Sequence, residues 1–132
     1  MTQTKTKTTE GAGISEAEWE VMEVLWDEAP LTSREVVERL AGTTDWSPKT
    51  VRTLLGRLVR KGALAYEAQG NRYLYTPVVA KEDAVRAEGR SFVDRVFGGD
   101  EAQALLHFAR QVELSDEELE DLRRLLEKGE ER

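Results

Sequence analysis

The stretch SPKTVRTLLGRLVRKG, residues 47–62, divides its side chains between two faces of one helix. Ser47 and Pro48 suit the cap and the first helical position, and Gly62 suits the residue after the last turn. Apolar residues recur at i, i+3, i+4 and i+7, which predicts a buried stripe: Val51, Leu54, Leu55 and Leu58. The other side is cationic and hydrogen-bonding, with small residues between: Lys49, Thr50, Arg52, Thr53, Gly56 and Arg60. The stretch therefore predicts an amphipathic helix with a basic outer face.

Two shorter helices are predicted upstream of this stretch, and each begins with a capping box. In such a box a hydroxyl and a carboxylate three residues apart satisfy backbone N–H groups of the first turn. The Ser15–Glu18 box predicts a helix over about residues 16–27, which Pro30 closes off. The Thr32–Glu35 box predicts a helix over about residues 33–41.

Two short segments of alternating character follow the basic helix. They cover residues 63–69 and 72–77 and flank Gly70–Asn71, with strand-favouring aromatics at Tyr66, Tyr73 and Tyr75. This pattern predicts a β-hairpin. Three helices followed by a hairpin are typical of a winged helix-turn-helix, which we predict over residues 14–79.

Three more helices are predicted from Lys81 onward, separated by Gly98–Gly99 and by a third capping box at Ser115–Glu118. Each carries an apolar stripe, but three helices in some fifty residues bury too little surface to be stable alone. A second copy of the chain is the simplest partner, so residues 80–132 are predicted to be a dimerisation domain. Apolar residues are expected at that interface: Phe92, Val96, Leu105, Leu106, Ala109, Leu119, Leu122 and Leu126. The predicted fold class is mainly α with a small β-hairpin wing, a winged helix-turn-helix followed by a three-helix C-terminal dimerisation segment.

The composition excludes several classes of site. The chain of 132 residues has no cysteine and one histidine, His107, so disulfides, thiolate metal sites and paired-histidine sites are excluded. No metal ion and no cofactor is expected. Apolar runs are far shorter than the ~20 residues that cross a bilayer, so we expect no membrane insertion and a soluble, cytoplasmic protein. Residues 1–13, rich in Thr, Lys and Gly, are expected to be a flexible tail.

The charge distribution points to a polyanion as the partner. The formal net charge is −7, yet residues 47–72 hold six basic residues against Glu67 alone. Acidic segments flank this basic island on both sides. A basic helix face with small residues can approach the ~12 Å major groove of DNA, where Arg can bond a guanine edge and Lys can hold phosphates. We therefore interpret the third helix as a recognition helix for double-stranded DNA, with Arg60 among its DNA-binding residues.

Three segments together resemble the BlaI/MecI family of penicillinase and methicillin-resistance repressors. They are ISEAEWEVMEVLW at residues 14–26, SPKTVRTLLGRLVRKG at residues 47–62, and residues 92–109 with the Gly98-Gly99-Asp100 break. The resemblance covers residues 14 to about 128. It implies a bacterial repressor, active as a homodimer on a palindromic operator with TACA/TGTA-type half-sites. By position it implies DNA contacts at Lys49, Thr50, Arg52 and Thr53, and backbone contacts at Arg57 and around Arg72.

The resemblance also bears on how such a repressor is switched off. A related branch senses copper through C-terminal cysteine pairs, which this chain lacks, so a copper response is not expected. In the antibiotic-responsive members, a protease linked to a membrane sensor cleaves the repressor before a Phe in the second dimerisation helix. That bond aligns with His107–Phe108, where His107 stands in place of the family's Asn. His107–Phe108 is therefore the candidate cleavage site.

Other functions compete with DNA binding as interpretations of this sequence. An enzyme is not expected, because the acidic run at residues 116–121 surrounds a leucine stripe and Gly11-Ala12-Gly13 lacks the pattern of a dinucleotide site. A winged helix can also serve as a protein-interaction module, but such a module does not need a basic outer face. A regulator of another winged-helix family with a different signal is the remaining alternative.

Overall fold

The computed structural model describes residues 13–130, with the side chains of 129 and 130 left aside. The predicted tail, residues 1–13, therefore lies almost wholly outside the described residues. Six helices and two strands occur between residues 13 and 130, mainly α with one hairpin: α1 Glu16–Asp27, α2 Ser33–Leu40, α3 Pro48–Arg60, β1 Leu64–Gln69, β2 Arg72–Pro77, α4 Lys81–Phe97, α5 Glu101–Gln111 and α6 Asp116–Glu130. Over the same residues, no helix has the length and apolar character needed to cross a membrane.

The first two helices begin as the capping boxes predict. The Ser15 N–H donates to Glu18 Oε1 across 2.9 Å, and the Glu18 N–H donates to Ser15 Oγ across 3.1 Å. Thr32 and Glu35 make the same reciprocal pair at 2.8 and 3.2 Å. These bonds satisfy N–H groups that have no partner within the helix. The helix starts predicted from local sequence are thus confirmed.

Helix α3 packs its predicted apolar stripe into the core. Ser47 caps the helix, Pro48 occupies its first turn, and Gly62 follows the C-cap with φ of 84°. Only glycine adopts this left-handed conformation readily, so the chain turns sharply into β1. The four stripe residues are at most 5% exposed: Val51, Leu54, Leu55 and Leu58. They meet buried residues of α1, α2 and β1: Val21, Met22, Leu25, Val36, Leu40 and Leu64.

The hairpin is antiparallel and is attached to the loop between α1 and α2. Tyr66 lies opposite Tyr75 in the strand register, and Gly70 in the turn has φ of 66°. Leu31 forms an isolated bridge with Tyr75, exchanging backbone hydrogen bonds of 3.2 and 2.8 Å. Trp26 of α1 donates its indole N–H to the Val79 carbonyl oxygen across 3.0 Å. This arrangement of helices and hairpin is the predicted winged helix.

The chain divides into two compact units, one up to Ser91 and one from Phe92. The division falls within α4, whereas the boundary predicted from sequence, at residues 79–80, precedes that helix. Within the second unit, Gly98 and Gly99 both have positive φ and end α4, and Asp100 caps α5 by accepting from the Gln103 N–H at 3.0 Å.

The apolar residues of the second unit are largely exposed in the single chain. Ala104 is 6% exposed, but large side chains of α4, α5 and α6 are 39–67% exposed: Val96, Leu105, Leu106, Leu119, Leu125 and Leu126. Phe92 and Leu122 are half-buried, and Ala109 is exposed. Val112 lies just after the end of α5, so it is not part of the apolar side of that helix.

Candidate nucleic-acid interface

The residues predicted to contact DNA share the outer face of α3 or the hairpin. All seven are exposed: Lys49, Thr50, Arg52, Thr53, Arg57, Arg60 and Arg72. Helix α3 turns its apolar side into the core, and this fixes its basic side outward. The structure therefore brings together the six residues of α3 on one helix and places Arg72 at the start of β2.

The cations of this face form no ion pairs among the residues that the structure describes. Between residues 13 and 130, the ion pairs involve other basic residues: Arg34, Arg39, Lys61, Lys81, Arg86 and Arg124. None of Lys49, Arg52, Arg57, Arg60 and Arg72 takes part in them. Their donors are thus available for phosphate oxygens or base edges.

Small residues keep the outer face of α3 open. A Cβ placed on Gly56 would come within 4 Å of one group, the guanidinium Nη1 of Arg60 at 3.7 Å, apart from the backbone of its own helix. Thr50 lies beside the helix cap, with its hydroxyl 3.1 Å from Ser47 Oγ. These small residues leave room for another surface to approach the backbone of α3 closely.

Three tyrosines on one side of the hairpin extend this surface. Tyr66 and Tyr73 are 50% and 49% exposed, and their ring centroids lie 4.4 Å apart. The Tyr66 and Tyr75 rings lie 6.1 Å apart. In the sequence these residues are recognisable as strand formers. Their alternate positions on paired strands also place them on one side of the hairpin. They add hydroxyl donors and flat apolar area to the wing.

Tyr75 connects this tyrosine group to α3. Burial raises the pKa of Tyr75, and the neighbouring Tyr73 and Tyr66 raise it further. The Arg52 guanidinium acts in the opposite direction, because its positive charge favours the phenolate. Arg52 on the outer face of α3 is thus close enough to the hairpin to act on Tyr75 electrostatically.

The candidate cleavage residues lie in an aromatic group within the second unit. Five ring pairs among Phe92, Phe97, His107 and Phe108 have centroids 5.2–6.2 Å apart. His107 and Phe108 are both exposed, and Phe108 is 47% exposed. The bond between them lies inside α5, four residues before the end of the helix at Gln111. Among residues 13–130, no cluster of three or more His, Asp or Glu side chains could hold a metal ion.

Comparison with known proteins identifies the family. The sequence profile of the penicillinase repressor family matches residues 14–128. The penicillinase repressor of Bacillus licheniformis is 39% identical over 114 residues, which are 86% of this chain and 89% of that protein. The methicillin resistance regulatory protein MecI of Mammaliicoccus sciuri is 34% identical over 115 residues, or 87% of this chain and 94% of that protein.

A solved structure gives the same answer for the DNA-binding part. The solution structure of the DNA binding domain of the repressor BlaI superposes with a TM-score of 0.51 and 42% sequence identity, covering 55% of this chain and 89% of that chain. The family profile covers the three segments of the chain that resemble this family, residues 14–26, 47–62 and 92–109. The chain therefore belongs to the penicillinase repressor family, the BlaI/MecI family of regulators.

Proposed function

We propose that the protein is a transcriptional repressor that binds double-stranded operator DNA through α3 and the hairpin. The observation that carries this proposal is the outer face of α3, whose exposed cations form no ion pairs within residues 13–130 while the opposite side fills the core. Membership in a family of repressors supports it, as does the similarity to the DNA binding domain of BlaI. Because its DNA target is there, we place the protein in the bacterial cytoplasm.

The contacts divide into those that read bases and those that hold the backbone. Arg52 has the donor geometry to bond the O6 and N7 atoms of a guanine, and the Thr53 methyl suits a thymine methyl. Lys49 and Thr50, in the first turn of α3, complete the reading residues. Phosphate contacts are assigned to the residues nearer the end of the helix and to the wing: Arg57, Arg60 and Arg72.

The active form in this proposal is a homodimer on a palindromic operator with TACA/TGTA-type half-sites. The apolar side chains exposed in the second unit need a partner, and a second copy offers the same surface. Two winged helices then reach half-sites about one turn apart, ~34 Å along the duplex. Each chain binds one half-site, and the two-fold symmetry of the dimer accounts for the inverted repeat expected in the operator.

Release of the operator is proposed to follow cleavage between His107 and Phe108 by a protease linked to a membrane sensor. Cleavage there separates α6 and the end of α5 from the rest of the chain. The exposed side chains of both residues support recognition at this point, although the bond lies within a helix. A helical bond must open locally before a protease can hold it, and the Gly98–Gly99 break lies nearby.

Sequencing of DNA fragments selected by the purified full chain tests the proposal. We expect enrichment of an inverted repeat with TACA and TGTA half-sites about one helical turn apart. A variant lacking two of the four reading side chains, Arg52→Ala with Thr53→Ala, should lose the enrichment while it still retains random DNA at low salt. Absence of any enriched sequence with the unaltered protein would contradict a repressor function, and a single unrepeated half-site would contradict the dimer.

A further inference from the structure

Lys61 belongs to the basic stretch of the sequence, but its ammonium group is turned away from the outer face of α3. Lys61 Nζ donates to Glu18 Oε1 and to the backbone carbonyl oxygen of Gly13. Lys61 is the C-cap residue of α3, and Glu18 lies in the first turn of α1. The contact therefore joins the end of one helix to the beginning of another, 43 residues apart in sequence.

The Glu18 carboxylate, which accepts the hydrogen bond from Lys61, is buried and accepts a second hydrogen bond within the capping box. Glu18 is 2% exposed, and its Oε1 also accepts the Ser15 N–H of the capping box at 2.9 Å. Burial alone would raise the pKa of Glu18, but the hydrogen bonds from Lys61 and Ser15 outweigh it and lower the pKa. Glu18 is consequently ionised at neutral pH, and Lys61 supplies its counter-charge.

Neighbouring cations on α3 have a different environment. Arg57 and Arg60 are exposed and form no ion pair among the described residues, whereas the Lys61 side chain is 31% exposed and faces Glu18. An ammonium held by a buried carboxylate has little to gain from a phosphate. Lys61 adds to the positive charge of residues 47–72, but its geometry does not suit a phosphate contact.

We propose that Lys61 and Glu18 are positioning residues, which fix the end of the recognition helix on α1 without touching DNA. The inference rests on the proposed function, since it concerns how α3 is held against an operator. Base-edge hydrogen bonds require side chains at the correct distance and angle, whereas attraction to phosphates tolerates small shifts. Loss of the pair should thus weaken binding to the operator more than binding to random DNA.

The test compares Lys61→Met with Arg60→Met in the full chain, using the selected operator and random DNA over a range of salt. Both variants remove one positive charge and keep an unbranched apolar stem. Each phosphate contact contributes about 0.9 to the slope of log K against log salt. We expect Arg60→Met to lower that slope by about this amount and to weaken both DNAs alike. Lys61→Met should leave the slope unchanged and reduce operator affinity by about tenfold, a loss in the range measured for coupled residues.

Glu18→Gln provides a second variant with the folded helix start preserved, because Gln also completes a capping box. It should reduce operator affinity like Lys61→Met, and the double variant should lose no more than either single one. A lower salt slope for Lys61→Met, unchanged operator affinity in both variants, or additive losses would overturn the proposal. If the unaltered protein showed no preference for any sequence, the repressor function itself would fail, and this outcome is visible before any variant is made.

Discussion

Gly56 and Arg60 face each other one helical turn apart on the outer side of α3, with 3.7 Å between the site of a Cβ at Gly56 and Arg60 Nη1. That distance is an ordinary van der Waals contact with a flexible side chain. The fold therefore has room for an alanine at this position. A glycine inside a helix costs about 0.5–1 kcal/mol relative to alanine, so its presence calls for another reason.

Gly56→Ala is expected to separate stability from DNA binding. The free energy of unfolding should rise by about 0.5–1 kcal/mol, because the unfolded chain loses freedom and the helix gains a methyl group without a clash. Operator affinity should fall if α3 lies close against DNA at this point. Urea unfolding and operator titration of the same preparation measure the two effects, and unchanged or tighter operator binding would show that the backbone of α3 stays away from DNA here.

Arg52 and Arg57 should respond differently to truncation. Arg52→Ala is expected to cost about 1–3 kcal/mol on the operator and to relax the choice of base at one position. Arg57→Ala should weaken operator and random DNA to the same extent and reduce the salt dependence. Titrations on the operator, on operators altered one base at a time and on random DNA distinguish these outcomes. Equal losses on all DNAs for Arg52→Ala would assign that residue to the phosphate backbone.

Much of the fold could be predicted because its signals are local. Ser15 with Glu18, and Ser47 with Pro48, mark helix starts within a few residues, and α1 has the bounds predicted for it. The inward stripe of α3 follows from helical spacing alone. The seven residues predicted to contact DNA are all exposed, as periodicity and turn position indicate.

Features that depend on distant parts of the chain could not be predicted in this way. Lys61 looks like one more cation beside Arg60, because its partner Glu18 lies far back in the sequence. The bridge between Leu31 and Tyr75 likewise has no local signal. The leucines of α6 show the same limit, because periodicity shows which side of a helix is apolar but not what covers it.

The leucines of α6 should control the oligomeric state. Leu122→Asp with Leu126→Asp places charges on the apolar side of that helix and is expected to give monomers, because a buried unpaired carboxylate is costly. Operator affinity should then fall by about 100- to 10,000-fold, since the second half-site no longer binds at high effective concentration. Sedimentation and operator titration measure both effects. Glu120→Ala, on the polar side of α6, serves as the control, and an unchanged dimer in the double variant would place the interface elsewhere.

The stability of the winged helix should fall at acidic pH. Four carboxyl groups have lowered pKa values in the folded chain: Glu18, Glu23, Glu28 and Glu35. The pKa of glutamate in an unfolded chain is about 4.3. A pKa lowered by folding adds stability that is complete above this value and is lost as pH falls through the folded value.

Glu18→Gln isolates one of these contributions. The variant should be less stable than the unaltered protein at pH 7. The difference in the free energy of unfolding should shrink as pH falls from about 4.3 through the lower folded pKa of Glu18, below which the unaltered side chain is also neutral. Urea unfolding at several pH values measures this convergence. Glu20→Gln changes an exposed carboxylate of the same helix and serves as the matched control. A Glu18→Gln deficit that stays constant with pH would exclude the ionised pair as its source.

A chain that ends at His107 should lose both dimerisation and tight operator binding. It lacks Phe108, the end of α5 and all of α6. Burial of one leucine contributes about 1.5–3 kcal/mol. The four leucines of α6 are removed from each chain: Leu119, Leu122, Leu125 and Leu126. Their loss takes away most of what could hold a small interface together.

Loss of the dimer should weaken operator binding, because the two half-sites are then bound by separate chains. An intact dimer binds its second half-site at high effective concentration, and a monomer forfeits that advantage of about 100- to 10,000-fold. A chain ending at Lys128 keeps the four leucines and should bind like the full chain. Sedimentation and operator titration of the two truncated chains, with circular dichroism to show a folded winged helix, provide the measurement. If the chain that ends at His107 still formed dimers and bound the operator tightly, cleavage could not be the release step, because the cleaved protein would still repress.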